Sequence, residues 1–243
     1  MCWHGKIGVK GAFFGHFRVI DDTELPAEMR PVPGDYEAWV RTTLAALGPG
    51  DDGLVRFVRP RPTAAFSPQD TTHPAYKSVR NQALANGFAP VERGTGGRLA
   101  IFDGEALVIS ILAPHPDPRE HIIERYQILA DALTEGLARF GIGALVGELP
   151  DEYCPGRFSL NAGGRIKLAG IAQRISRKSL QIDTILTVSR SARACAALVE
   201  AYAGLGLAFN PATYGALADV APAPDYGQFV AALKRAILAA ING

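Results

Sequence analysis

The stretch from Tyr153 to Arg174 constrains this chain more than any other. It opens on Tyr153-Cys154-Pro155-Gly156-Arg157-Phe158-Ser159-Leu160, passes through Asn161-Ala162-Gly163-Gly164, and continues as Arg165-Ile166-Lys167-Leu168-Ala169-Gly170-Ile171-Ala172-Gln173-Arg174. Pro155 fixes its own φ and Gly156 is free to take a positive one, which predicts a sharp turn directly after Cys154. Asn161 to Gly164 is a second turn signal, so the flanking segments are expected to pair as a hairpin. That pairing can set the Lys167 ammonium near the Cys154 sulfur. A nearby cation favours thiolate over thiol, and the thiolate is the nucleophile.

On spacing alone Cys154 keeps two roles: a small buried apolar side chain, or a reactive thiol. The three cysteines, Cys2, Cys154 and Cys195, are an odd number without metal-ligand spacing. That speaks against a disulfide framework and fits a reducing compartment. The five histidines form no metal-binding pattern. A formal net charge of +1 gives no field that would gather nucleic acid or an anionic membrane. No secretory signal and no transmembrane run is expected, so the chain reads as soluble and cytoplasmic. Its 243 residues suit one large domain or two small ones.

Hydrophobic periodicity predicts strands at residues 7–9, 17–20, 54–58, 64–66, 98–102, 106–112, 144–147 and 181–188, besides the hairpin. Residues 26–33 read as a proline-rich loop. Helices are predicted from Asp35 to Leu47 and over 75–86, the latter capped by the Gln69-Asp70-Thr71-Thr72-His73-Pro74 run through Thr72 and Pro74. The next helix starts with a capping-box-like Asp117, Pro118 and Glu120, placing His121 in its first turn as a surface residue. Its apolar stripe is Ile122, Tyr126, Leu129, Leu133, Leu137 and Phe140. Ser189 or Ser191 caps a helix through Ala203 in which Cys195 fills core, residues 210–220 look helical, and residues 221–224 are a linker. Asp225 caps a last helix whose stripe is Phe229, Leu233, Ile237 and Ile241.

The glycine cluster Arg93-Gly94-Thr95-Gly96-Gly97 sits between two predicted strands. It permits close backbone approach to a ligand and exposes N–H groups. It is neither a P-loop, lacking a following Gly-Lys-Ser/Thr, nor a Rossmann fingerprint, because a strand follows it.

Cys154-Pro155-Gly156, followed after a polar turn by Lys167-Leu168-Ala169-Gly170-Ile171-Ala172-Gln173-Arg174, resembles the catalytic core of the biotin/lipoate protein ligase family, and within it the lipoyl (octanoyl) amidotransferases. The Gln69-Asp70-Thr71 run and Arg93-x-Thr95-Gly96-Gly97 resemble the same enzymes, and the likeness covers about residues 50–190. It implies that Cys154 carries the acyl group as a thioester, that Lys167 helps bind the acyl carbonyl, and that Arg93, Thr95, Gly96, Gly97, Gly156 and Gly170 line the substrate site. Three departures stand out, one of them Val108 where the family often has an asparagine. Glu92 takes the place of a first arginine and Phe102 that of a histidine, and a negative charge in a phosphate site is unfavourable for ATP chemistry.

The expected fold is α+β: a mixed, mainly antiparallel sheet flanked by helices, in one catalytic domain over residues 1–243 with C-terminal helices at about 191–243. The resemblance implies an acyltransferase that moves a lipoyl or octanoyl group from a carrier to the lysine of a lipoyl domain, without a required cofactor. The carrier would be the glycine-cleavage H protein or an acyl carrier protein. No histidine partners Cys154 in sequence, so Lys167 or a water must handle protons. Two alternatives remain: an ATP- and Mg-dependent lipoate–protein ligase, and a non-catalytic lipoyl-domain binder.

Overall fold

The computed structural model describes residues 11–222 and 225–242. The strand expected at residues 7–9 lies outside the described residues.

In chain order the elements are β1 (Phe17–Asp22), α1 (Pro33–Ala46), β2 (Gly53–Val58), β3 (Thr63–Phe66), the single turn α2 (Pro68–Thr71), α3 (Tyr76–Ala85), β4 (Ala89–Glu92), β5 (Ala100–Phe102) and β6 (Ala106–Pro114). Then come α4 (Ile122–Ala138), β7 (Ala144–Val146), β8 (Leu160–Ala162), β9 (Ile166–Ile175), β10 (Ser179–Thr187), α5 (Ala192–Gly204) and α6 (Tyr226–Ile241). A seven-stranded sheet has the order β1-β2-β6-β10-β9-β8-β7, and a three-stranded sheet the order β4-β3-β5. Pairing is antiparallel except between β1 and β2 and between β3 and β4. The α+β expectation, with its mainly antiparallel sheet, is met.

Side chains alternate across a strand, and the two faces of the large sheet divide the labour. Leu107, Ile109 and Ile111 of β6 and Leu180, Ile182 and Leu186 of β10 pack against α4 and α6 through Leu129, Leu133, Leu137, Phe229, Leu233 and Ile237. Each such side chain contributes about 1.5–3 kcal/mol on burial. At Gly136 a Cβ would lie 2.7 Å from a Leu233 methyl, so α4 and α6 approach through that glycine. The other face carries Val108, Ser110, Asp183 and Ile185, turned toward the small sheet. A second core under the small sheet joins Phe66, Phe88 and Leu99 to Val79 of α3 and Leu198 and Tyr202 of α5. Two cavities lie in the seam between the two sheets.

Several local expectations are corrected. α1 begins at Pro33, two residues early, with proline in the first turn where its missing N–H costs nothing. The capping box belongs to Ser67 and Asp70 at α2; Thr72 donates instead to the Gln69 carbonyl, and α3 starts without a side-chain cap. α4 starts at Ile122 rather than Asp117, because His121 adopts a left-handed conformation (φ 58°) that breaks the helix before it. The buried stripe of α4 includes Arg125, which donates to the Gln173 side chain and the Pro118 carbonyl. Residues 210–220 are not one helix but two short 3-10 turns, Pro211–Thr213 and Leu217–Asp219. Cys195 is only half-buried at the edge of the second core. The caps at Ser191 and Asp225 are as expected. Among the described residues no helix is long and apolar enough to cross a membrane.

Candidate active site

The loop between β7 and β8 carries Cys154 in a left-handed conformation, φ 44°. The expected sharp turn is there, but its strained residue is Cys154 itself rather than Gly156. A non-glycine residue holds such a conformation only where its surroundings enforce it. Here both of its backbone groups are gripped. Its N–H donates to the Tyr202 hydroxyl at 2.6 Å, and that hydroxyl donates onward to the Leu99 carbonyl at 2.9 Å. Its carbonyl accepts from the Lys167 ammonium at 2.7 Å.

Lys167 reaches this position because the β8–β9 hairpin forms as expected, with Gly163 and Gly164 both at positive φ and the Gly164 N–H donating to the Asn161 side chain. Its ammonium has three hydrogens and three protein acceptors: the Cys154 carbonyl, the Tyr153 carbonyl at 2.9 Å and the Glu152 carboxylate at 2.9 Å. Lys167 and Glu152 are each 1% exposed, and Ser159 also donates to Glu152 at 2.6 Å. A buried ion pair of this kind persists because every remaining hydrogen-bonding site is filled. Lys167 therefore meets Cys154 at its carbonyl oxygen, whereas the spacing had pointed to the sulfur.

The groups at the sulfur come from the loop that joins β4 to β5 of the small sheet. The Arg98 N–H donates to Sγ at 3.3 Å and the Arg93 guanidinium lies 3.5 Å from it. Gly97, at φ 97°, makes the approach possible: a Cβ there would stand 2.7 Å from Sγ and 3.1 Å from Arg93 Nη2. Arg93 is fixed in turn by the Arg98 carbonyl at 2.7 Å and the Thr95 hydroxyl at 3.1 Å. The Arg98 guanidinium pairs with the fully buried Asp70 at 3.6 Å. The polar run around Asp70 thus serves the site through Arg98.

Sγ faces a cleft of about 320 Å³, walled by Ala100, Tyr126, Phe158, Ile171 and Ile185, with Tyr126 stacked on Phe158. Gly96, Gly156 and Gly170 also line it. Gly170 backs onto Lys167, whose Cε would stand 3.4 Å from a Cβ; at Gly96 and Gly156 a Cβ would meet nothing closer than an ordinary contact. Arg93, Asp183 and Ile185 form a wall shared with a smaller apolar cavity of about 60 Å³, lined by Val58, Ala65, Val91, Phe102 and Val108. Burial pushes the Asp183 carboxyl upward, against the pull of the Ser110 hydroxyl and the Arg93 charge. Among the described residues no cluster of three or more His, Cys, Asp or Glu could hold a metal ion.

A thiol held between an arginine and a backbone N–H, at the wall of an apolar cleft, suits attack on the carbonyl of an acyl chain. The model of the lipoyl protein ligase A/B catalytic domain matches residues 45–237. This chain belongs to that family. Among its relatives, the octanoyl-[GcvH]:protein N-octanoyltransferase of Geobacillus kaustophilus is 30% identical over 66% of this chain and 57% of its own length. The enzyme of that name from an Exiguobacterium species is 26% identical over 79% of this chain and 66% of its own. The chain thus spans about three fifths of the length of these relatives. Among solved structures, a lipoate-protein ligase A bound with ATP has a TM-score of 0.68 at 17% identity, covering 94% of this chain and 85% of that one. A bipartite lipoate protein ligase from Thermoplasma acidophilum has a TM-score of 0.66 at 14% identity, covering 95% and 84%. These likenesses establish the lipoate ligase catalytic fold.

Of the residues singled out from sequence, the fold brings together Cys154, Lys167, Arg93, Thr95 and Gly97. Five more were missed, among them Arg98, which fell at the start of an expected strand. Asp70 lay inside a run already singled out, and Glu152 is two residues from Cys154. Asp183 left one faint signal, an acid in the middle of an alternating buried strand. Tyr202 left none, since a tyrosine in a helix stripe reads as core.

Proposed function

We propose that this chain is an acyltransferase that moves an octanoyl or lipoyl group from a carrier protein to the lysine of a lipoyl domain through a thioester on Cys154. The observation that carries the proposal is the Cys154 sulfur held between the Arg93 guanidinium and the Arg98 N–H at the wall of the apolar cleft. The names of the relatives support the substrate class.

In the first half-reaction the Cys154 thiolate attacks the carbonyl carbon of the acyl group. A C–S bond forms, the bond to the donor breaks, and the leaving amine or thiol takes up a proton. In the second, the lysine amine of the acceptor attacks the thioester, a C–N bond forms, the C–S bond breaks, and the thiolate is regenerated as the amine loses its proton. One difficult transfer becomes two easier ones. Arg93 and the Arg98 N–H stabilise the anion on sulfur before attack and after departure. Lys167 holds the Cys154 turn in shape, since its three hydrogens are already used. The cleft walls take the aliphatic chain. Glycine-cleavage H protein is the carrier the relatives favour, with acyl carrier protein as the alternative donor.

The competing reading is ATP-dependent ligation. Its support is the fold shared with an ATP-bound ligase. Against it, Glu92 keeps a carboxylate next to Arg93 in sequence and Phe102 lines the apolar cavity.

The deciding experiment is an intact-mass measurement of the protein, and of Cys154→Ala, after incubation with octanoylated H protein. A hydroxylamine-sensitive octanoyl adduct in the wild type alone is expected. Lipoylation of an acceptor from free lipoate, Mg²⁺ and ATP, without a carrier donor or adduct, would replace the transferase by the ligase.

A further inference from the structure

We propose that Asp183 is a positioning residue for Cys154: acting through the Thr95 hydroxyl, its carboxylate holds the Arg93 guanidinium against the Cys154 sulfur. The chain of contacts is continuous and its donors all point one way. Arg93 Nη1 donates to Thr95 Oγ1 at 3.1 Å, and Thr95 Oγ1 donates to Asp183 Oδ2 at 3.1 Å. Gln181 donates to the same carboxylate oxygen at 2.7 Å, and Ser110 to the other at 2.6 Å. The Ser110 hydroxyl is directed toward Asp183 because Tyr36 donates to its oxygen at 2.7 Å. A carboxyl group with three donors aimed at it and no acceptor is placed as an anion. The partners of Asp183 are buried, Thr95 and Ser110 at 0% exposed, Gln181 at 1% and Arg93 at 7%, while Asp183 itself is partly open to the cavities it lines.

The register of the sheet explains the placement. Asp183 pairs with Ser110 across β10 and β6 and with Ala172 across β10 and β9, on the sheet face that lines the two cavities. The charged and titratable groups around Asp183 are Arg93, Glu37 from α1, and Tyr36 behind Ser110. Those around Cys154 are Arg93 at the sulfur, Lys167 with Glu152 at the carbonyl, Tyr202 at the amide, and Tyr126 and Tyr153 in the cleft wall.

Holding the cation in place and acting as a bare negative charge have opposite effects on the thiol. A negative group near a thiol opposes thiolate formation, so removing it should speed a thiolate reaction. A group that holds the neighbouring cation in place does the opposite: removing it should slow the reaction. Asparagine at 183 turns one acceptor oxygen into a donor, facing either the Thr95 and Gln181 donors or that of Ser110.

The test is the rate of alkylation of Cys154 by iodoacetamide and by iodoacetate, followed by peptide mass on the full chain, with thermal melting beside it. It rests on Cys154 being a reactive thiol but uses no acyl donor, so a failure of acyl transfer would leave its outcome standing. Asp183→Asn and Thr95→Val are each expected to slow alkylation by about tenfold, the loss of a charge-linked hydrogen bond. Iodoacetate should lose more than iodoacetamide, because the cation that attracts it has moved. Thr95→Ser retains the hydroxyl and should stay within about twofold of wild type. Faster or unchanged alkylation in folded Asp183→Asn overturns the proposal. Should that variant not fold, the threonine pair decides: equal rates in Thr95→Val and Thr95→Ser overturn it.

Discussion

Gly97 stands so close to Cys154 that a β-carbon added to it would lie 2.7 Å from the sulfur. Its φ of 97° is also one that side chains with a β-carbon rarely adopt. Gly97→Ala is therefore penalised twice, by backbone strain of about 1–3 kcal/mol and by displacement of the sulfur or of Arg93. We expect acyl-enzyme formation to fall by tenfold or more, the equivalent of about 1.4 kcal/mol, while the fold persists. A variant that forms the acyl-enzyme at the wild-type rate would show that the sulfur does not need this approach.

Lys167 and Glu152 make a second prediction because they are buried as a pair. Lys167→Met leaves Glu152 charged and without its cation, which costs about 3–5 kcal/mol. For a chain of this size each kcal/mol moves Tm by about 2–4 °C, so a drop on the order of 10 °C is expected. The double variant Lys167→Met/Glu152→Gln should recover part of the loss. Calorimetry on the three proteins checks this, and a double variant no more stable than the single one would mean that the pair is not the source of the cost.

The same pair marks the limit of what was legible from sequence. Turn chemistry gave the β8–β9 hairpin, and apolar periodicity gave α4 and α6, because both are local signals. The atom that Lys167 meets was not local. It depends on the left-handed turn at Cys154, which Tyr202 stabilises from 48 residues away. The Thr95–Asp183 bond spans 88 residues and the Ser110–Asp183 bond 73, so nothing near Asp183 in the chain announces its partners. The helix expected at 210–220 failed for a related reason. The chain there is tied by long-range contacts, Tyr214 bridging to Lys167 and the Asn210 N–H donating to the Asp151 carbonyl. Tertiary contact overrides helix propensity.

Glu37 predicts a pH dependence of stability. Burial first, and then the Asp183 charge, pushes its carboxyl up to about 7, while Arg93, Arg41 and Arg174 pull it down. A carboxyl raised in the folded state keeps its proton while the unfolded chain loses it. Its contribution to stability is therefore intact below the unfolded value of about 4.3, falls as pH rises, and is flat above about 7. Glu37→Gln should remove this slope, so the variant gains on wild type as pH goes from about 5 to 8. Urea denaturation across that range measures it, and parallel pH profiles for the two proteins would rule it out.

Tyr202 tests whether the strained turn at Cys154 needs its clamp. The hydroxyl accepts from the Cys154 N–H and donates to the Leu99 carbonyl, tying the loop after β7 to the segment that carries Gly97 and Arg98. Tyr202→Phe keeps the ring and removes both bonds, leaving a buried donor and a buried acceptor unpaired at about 1–3 kcal/mol each. The left-handed conformation of Cys154 should relax, and the sulfur should drift from Arg93 and the Arg98 N–H. We expect a Tm lower by several degrees and a fall of about tenfold in the rate of acyl-enzyme formation. The half-buried Cys195 sits at the edge of the same second core, so Cys195→Ala is the matched control and should leave the rate near wild type. A Tyr202→Phe protein that is less stable but forms the acyl-enzyme at full speed would show that the clamp serves the core alone.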